Sequence, residues 1–180
     1  MIEALAAVLA WLGAALIVLS DGRRGLAVGL FAASIAFASL AWSGGQRLAA
    51  AAILVCGAIA SLQRLRSGAE GWGIMPAGST PRLVLCIASG LVALWVGASV
   101  TNGPGAPLRT AVLAFIALMG ARVLSARDVP AVLTAVAALA LAMGAATGLA
   151  STSPGPAPYL IGALIAAGVA FMPRAEPRGA

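Results

Sequence analysis

The chain has 180 residues, 62% of them hydrophobic and 9% charged, with a net charge of +6 and a mean hydropathy of +1.05. A soluble domain carries roughly 25% charged residues, so the apolar excess here has to face lipid or other membrane helices. All eleven basic residues are Arg. They are spread over the turns between apolar stretches, with no basic face interleaved with aromatics, and this argues against nucleic-acid binding.

The chain opens Met1-Ile2-Glu3, without the positive n-region of a signal peptide, so the first apolar stretch reads as a retained helix. The intervals between charges give the spans. Glu3 and Asp21 enclose 17 uncharged residues, Arg24 and Arg47 enclose 22, and Arg47 and Arg64 enclose 16. Arg82 and Arg109 enclose 26, Arg109 and Arg122 only 12, and Asp128 and Arg174 enclose 45. Crossing the hydrocarbon core takes roughly 17–25 helical residues. The last interval therefore holds two crossings, broken at the Pro-rich run 151–158. The fifth crossing is short unless Arg109 and Arg122 snorkel to opposite interfaces.

Charge bias arbitrates. With seven crossings, one side receives Arg23, Arg24, Arg64, Arg66, Arg82, Arg122, Arg127, Arg174 and Arg178, and the other only Arg47 and Arg109, a split of 9 to 2. Without the fifth crossing the split is 5 to 6 and the bias vanishes. The expectation is an all-α integral membrane protein forming one transmembrane domain over 1–180, a compact bundle of about seven helices. Its N-terminus is outside and its C-terminus cytoplasmic, in the cell inner (plasma) membrane. The approximate helices are 4–20, 25–43, 46–62, 83–100, 108–125, 131–150 and 159–173, with a polar, Gly-rich cytoplasmic loop at 63–82. Trp42 and Tyr159 are expected at the outer interface, where amphipathic rings accumulate. Val18-Leu19-Ser20 recurs as Val123-Leu124-Ser125, a faint trace of a duplication offset by four helices.

Lipid tails are as apolar as Leu, so helix association relies on close backbone approach at small residues. Candidate packing positions are Gly25 and Gly29 on helix 2, Gly90 and Gly97 on helix 4, and Ala140, Gly144 and Gly148 on helix 6.

Chemistry-bearing constellations are scarce. The absence of His removes imidazole-based zinc sites, Ser-His catalysis and His proton relays. There is no Lys for a phosphate-binding loop, and the string 68–73 reads as a flexible loop. Glu3, Asp21, Glu70, Asp128 and Glu176 all fall at helix ends, in loops or in the tail, which disfavours an ion-coupled pump. Cys56 and Cys86 read as small packing residues, close enough to be neighbours. No cofactor, metal site or enzymatic activity is expected.

Arg122 is the sharpest single candidate. It either contacts an anion or headgroup within a polar cavity or snorkels to the interface, paired with Asp128 through the turn. Arg64, Arg66 and Arg82, with Trp72 between them, are candidate contacts for lipid headgroups or a partner's acidic surface. The expected partners are the lipid bilayer and other membrane subunits. The expected role is a non-catalytic subunit or accessory protein of a larger membrane assembly. The alternative is a small carrier or channel for a neutral or anionic solute, lined by Ser34, Ser39, Ser89, Ser99, Thr134 and Thr147.

Overall fold

Ala, Leu and Val fill every stretch between the charge clusters, and a helix pairs each backbone group within its own segment. The computed structural model describes residues 2–67, 69–75, 80–100, 106–126, 128–150 and 155–172. Seven helices run through them: α1 (Ile2–Leu19), α2 (Arg23–Ser43), α3 (Arg47–Leu65), α4 (Thr80–Val100), α5 (Ala106–Ser125), α6 (Val129–Ala150) and α7 (Ala157–Ala170). No strand occurs among the described residues, only an isolated antiparallel bridge between Ser20 and Ile74. Four segments, Arg23–Ser43, Arg47–Leu65, Leu108–Ser125 and Val129–Ala150, are long and apolar enough to cross a membrane.

The helices form two facing rows. In one, α1 packs on α2 and α2 on α3; in the other, α5 packs on α6 and α6 on α7. Across the rows, α1 meets α5, α2 meets α6, and α3 meets α7. Helix α4 stands outside, against α5 and the edge of α1. The middle of the molecule lies between α2 and α5–α6, where Phe37 and Phe115, both buried, meet edge to face at 4.9 Å and 80°.

Small residues let the helices of each row approach. A Cβ on Gly29 would stand 2.9 Å from the Gly13 carbonyl and 2.8 Å from Ile17, so α1 and α2 touch backbone to backbone there. Gly25, one turn earlier, is closed in by the Ser20 side chain and the Trp72 carbonyl. On α6, the stripe of Ala140, Gly144 and Gly148 faces α7. Gly162 sits under the Ala140 carbonyl, Gly144 under that of Pro158, and the Tyr159 ring covers Gly148.

Several expectations change. Gly90 has nothing within 4 Å of where a Cβ would sit. It borders a gap of about 280 Å³ shared with Trp11, Ala114 and Phe115. The surroundings of Gly97 lie outside the described residues. Tyr159 is buried, because its ring fills the space that Gly148 leaves, whereas Trp42 is exposed and stacks under the Arg47 guanidinium at 5.7 Å. Cys56 on α3 and Cys86 on α4 are not neighbours, since α3 packs on α2 and α7 while α4 packs on α5 and α1. Helix α3 runs past residue 62 to Leu65, and α7 starts at Ala157, with Pro158 in its first turn where a missing N–H costs nothing.

These contacts separate two kinds of glycine. Gly144→Leu and Gly148→Leu should each destabilise the protein in detergent by about 1–3 kcal/mol through overpacking against α7. Gly90→Ala should leave stability unchanged or raise it by about 0.5–1 kcal/mol through helix propensity. Thermal unfolding in one detergent reads all three. Equal melting temperatures across the set would contradict the α6–α7 packing.

Candidate functional site

Helix α1 stops at Leu19 and α2 starts at Arg23, leaving Ser20, Asp21 and Gly22 for the reversal. The turn is built jointly with the segment 69–75. Met75 N–H donates to the Leu19 carbonyl at 2.9 Å, and Asp21 N–H donates to the Gly73 carbonyl at 3.0 Å. Arg23 N–H donates to Ala69 O at 2.9 Å and Arg24 N–H to Gly71 O at 3.2 Å. The first amides of a helix have no partner within it, and no side chain caps α2, so loop carbonyls serve instead.

Glycine is required at this contact. A Cβ on Gly22 would stand 2.5 Å from the Gly71 carbonyl oxygen, and Gly73 adopts a φ of +52° within the same contact. The string 68–73 is expected to be a flexible loop; its described part, with the segment running on to 75, is instead folded onto the α1–α2 turn. Arg23 and Glu70 add a 3.1 Å ion pair, whose exposed carboxylate makes it a weak tie.

The Asp21 carboxylate lies at the centre. Arg82, near the start of α4, donates Nη1 to Oδ2 at 2.6 Å and to Oδ1 at 2.7 Å. Arg122, in the last turn of α5, donates Nη2 to Asp21 Oδ1 and to the Ser20 carbonyl at 2.9 Å. Two cations therefore share one anion, and the knot carries a net positive charge. Burial pushes the Asp21 pKa up, but the hydrogen bonds and charges of Arg82 and Arg122 outweigh it and hold the carboxyl below its usual range. A carboxylate so held is a poor proton acceptor at neutral pH. Asp21 is built to stay charged rather than to relay protons.

Arg122 does not snorkel. It is 0% exposed, and its acid is Asp21, while Asp128 is exposed. The geometric reason is that α5 lies beside α1 with the C-terminal ends together, which points Arg122 into the turn. Its Nε and Nη1, and the Ser20 hydroxyl, have no hydrogen-bond partner among the described residues.

The remaining candidates separate. Arg82 belongs to the knot. Arg64, in the last turn of α3, is buried, while Arg66, at the end of that helix, is exposed. The Trp72 side chain is half-exposed, although its backbone is pressed against Gly22 and Gly25. Ser20, Asp21 and Gly22 were not singled out as site residues. The one signal for them was the recurrence of Val-Leu-Ser at the ends of α1 and α5, two ends that the fold brings together.

Four of the six hydroxyls expected to line a solute path are bonded into their own helices. Ser34 donates to Leu30 O at 2.8 Å, Ser39 to Ile35 O at 2.6 Å, Thr134 to Pro130 O at 2.7 Å, and Thr147 to Met143 O at 3.0 Å. Ser89 lies outside the residues whose side chains are described. A cavity of about 580 Å³ between α6 and α7 is walled almost wholly by apolar side chains.

Comparison with protein families, with curated proteins and with solved structures gives no match.

The knot predicts an order of damage. Asp21→Ala leaves two guanidiniums without their anion, one of them fully buried, and should destabilise the protein by about 3–5 kcal/mol. Arg122→Met should cost less, because Arg82 still neutralises Asp21 and methionine leaves no orphan donors. A lowered folded-state pKa stabilises above the unfolded value of about 3.9 and stops doing so as pH falls through the folded one. Acid should therefore melt the wild type below about pH 4. Asp21→Asn should be less stable at pH 7 and should lose that part of the acid dependence. Melting curves of Asp21→Asn and wild type that run parallel from pH 7 to pH 3 would contradict the knot.

Proposed function

We propose that the protein spans the membrane seven times, with the N-terminus outside and the C-terminus cytoplasmic, as a non-catalytic subunit or accessory protein of a larger membrane assembly. The observation that carries the reading is where its polar groups go. The Asp21 carboxylate and its two arginines are committed to one another, and the four hydroxyls described above bond back into their own helices. What the bundle presents outward is apolar, including a face of α4 with Val84, Ile87, Leu91, Val92 and Trp95 exposed. Such a face suits lipid or the helix of another subunit. The 9 to 2 distribution of arginines supports the orientation and an energised inner or plasma membrane.

One observation favours the alternative, a small carrier for an anionic solute. Arg122 is buried with two donor nitrogens that have no acceptor among the described residues, an arrangement that suits a transient anion.

Purification from native membranes in mild detergent, with mass spectrometry of what co-elutes, separates the two. Stoichiometric membrane proteins that survive gel filtration are the expected result. A lone protein, together with anion flux in proteoliposomes that Arg122→Met abolishes, would replace the subunit reading with the carrier. For orientation, a thiol introduced by Arg66→Cys should react with an impermeant maleimide only from the cytoplasmic side, and one introduced by Gly44→Cys only from outside.

A further inference from the structure

The cytoplasmic arginines are not equivalent. Arg23 is paired with Glu70, Arg82 and Arg122 with Asp21, and Arg64 is buried. Arg24 and Arg66 are exposed, and neither side chain makes an ion pair or hydrogen bond among the described residues.

They flank one feature. A groove of about 360 Å³ runs between α2 and α3, walled by Ala27, Val28, Phe31, Ala58, Leu62 and Leu65. The register follows from Gly57, which lies directly under the Ser34 side chain in this antiparallel pair. Counting outward from that contact sets Arg24 level with Ser67, beside Arg66. Residues three and four apart share a helix face. Arg24 is thus one turn beyond Ala27 and Val28, and Arg66 one turn beyond Leu62. By this register the groove ends, toward the α2 N-terminus, at the level of two arginines that have no ion-pair partner among the described residues.

From this we infer that the α2–α3 groove is a binding site for one anionic glycerophospholipid of the cytoplasmic leaflet, its acyl chain in the groove and its phosphate between Arg24 and Arg66. The inference rests on the membrane reading above. Charge complementarity selects the occupant. Two like charges at one level repel each other until an anion lies between them, and guanidinium forks match phosphate geometry. A free phosphate would leave the groove empty, and a neutral lipid would leave the arginines without a net counter-charge. An anionic lipid meets both demands at once. The half-exposed Trp72, on the segment pressed against the start of α2, suits the same headgroup depth.

The test is native mass spectrometry of the full chain in detergent with dioleoylphosphatidylglycerol or dioleoylphosphatidylcholine added. The wild type should retain one phosphatidylglycerol and prefer it over phosphatidylcholine. R24Q/R66Q should weaken retention about tenfold or more, and R24K/R66K should recover part of it. A58F, which fills the groove and leaves the charges, should weaken it as well. Millimolar inorganic phosphate should not displace the lipid. The inference is overturned by equal retention of the two lipids in the wild type, by undiminished retention in either R24Q/R66Q or A58F, or by full displacement with phosphate. Loss of a co-purifying protein subunit from A58F, in place of lipid, would overturn it too. The wild-type preference needs no variant to fold. Carbonate extraction keeps the two readings apart: a chain released from membranes removes the membrane reading, while a chain that stays but shows no dependence on Arg24 and Arg66 removes only the lipid site.

Discussion

One carboxylate ties together parts of the chain that hydrophobic packing alone would leave loosely related. Asp21 joins the α1–α2 turn to Arg82 on α4 and to Arg122 on α5, across sequence separations of 61 and 101 residues. Its position is favoured twice over. It stands just before the N-terminus of α2, where the helix dipole stabilises a negative charge, and Arg122 lies in the last turn of α5, where the dipole stabilises a positive one. Helix α4, outside the two rows, is joined to the α1–α2 turn by this tie through Arg82. A fully buried guanidinium also has few alternative arrangements, so the knot holds the C-terminal end of α5 against the C-terminal end of α1.

Elsewhere the cohesion is of another kind. Between α1 and α2 and between α6 and α7, carbonyls approach within about 3 Å of where a glycine Cβ would be. Dispersion over such contacts is small per atom pair and large in sum. It requires no water to be released, so it works against lipid as well as against protein. The two mechanisms divide the molecule. Small residues close the rows, and charge closes the end where the α1–α2 turn lies.

The helices were legible in the sequence because a charge inside hydrocarbon is costly, so the intervals between charges mark element lengths directly. The same rule misplaced the end of α3. Counting stopped the helix at residue 62, ahead of Arg64, yet a cation in the last turn favours the helix rather than ending it. The stripe at Ala140, Gly144 and Gly148 was visible as periodicity, whereas Gly90 was equally visible and meets no neighbour. Spacing shows that a face is narrow, not that another helix lies against it. The knot was not legible. Asp21 looked like one more charge in a turn, and Arg122 looked nearest to Asp128, because sequence distance is a poor guide once α1 and α5 lie side by side.

The pairing of the two rows bears on the recurrence of Val-Leu-Ser. Helices α1–α3 and α5–α7 each form a row of consecutive neighbours, and each helix of the first meets the one four places later. A duplication of three helices, with α4 joining the copies, would give this order. The two end motifs would then occupy like positions, as they do where Arg122 reaches Ser20. Like ends placed together concentrate like partial charges, since the C-termini of α1 and α5 share one level. The negative ends of two dipoles then lie close together, and a cation is needed there whatever its later use. Arg122 fills that need by donating to the α1 terminus at Ser20, and Asp21 in turn compensates Arg122. On this view the knot is a consequence of setting parallel helices side by side. Arg24 and Arg66, at the neighbouring α2–α3 end, have no ion-pair partner among the described residues and answer no such internal demand.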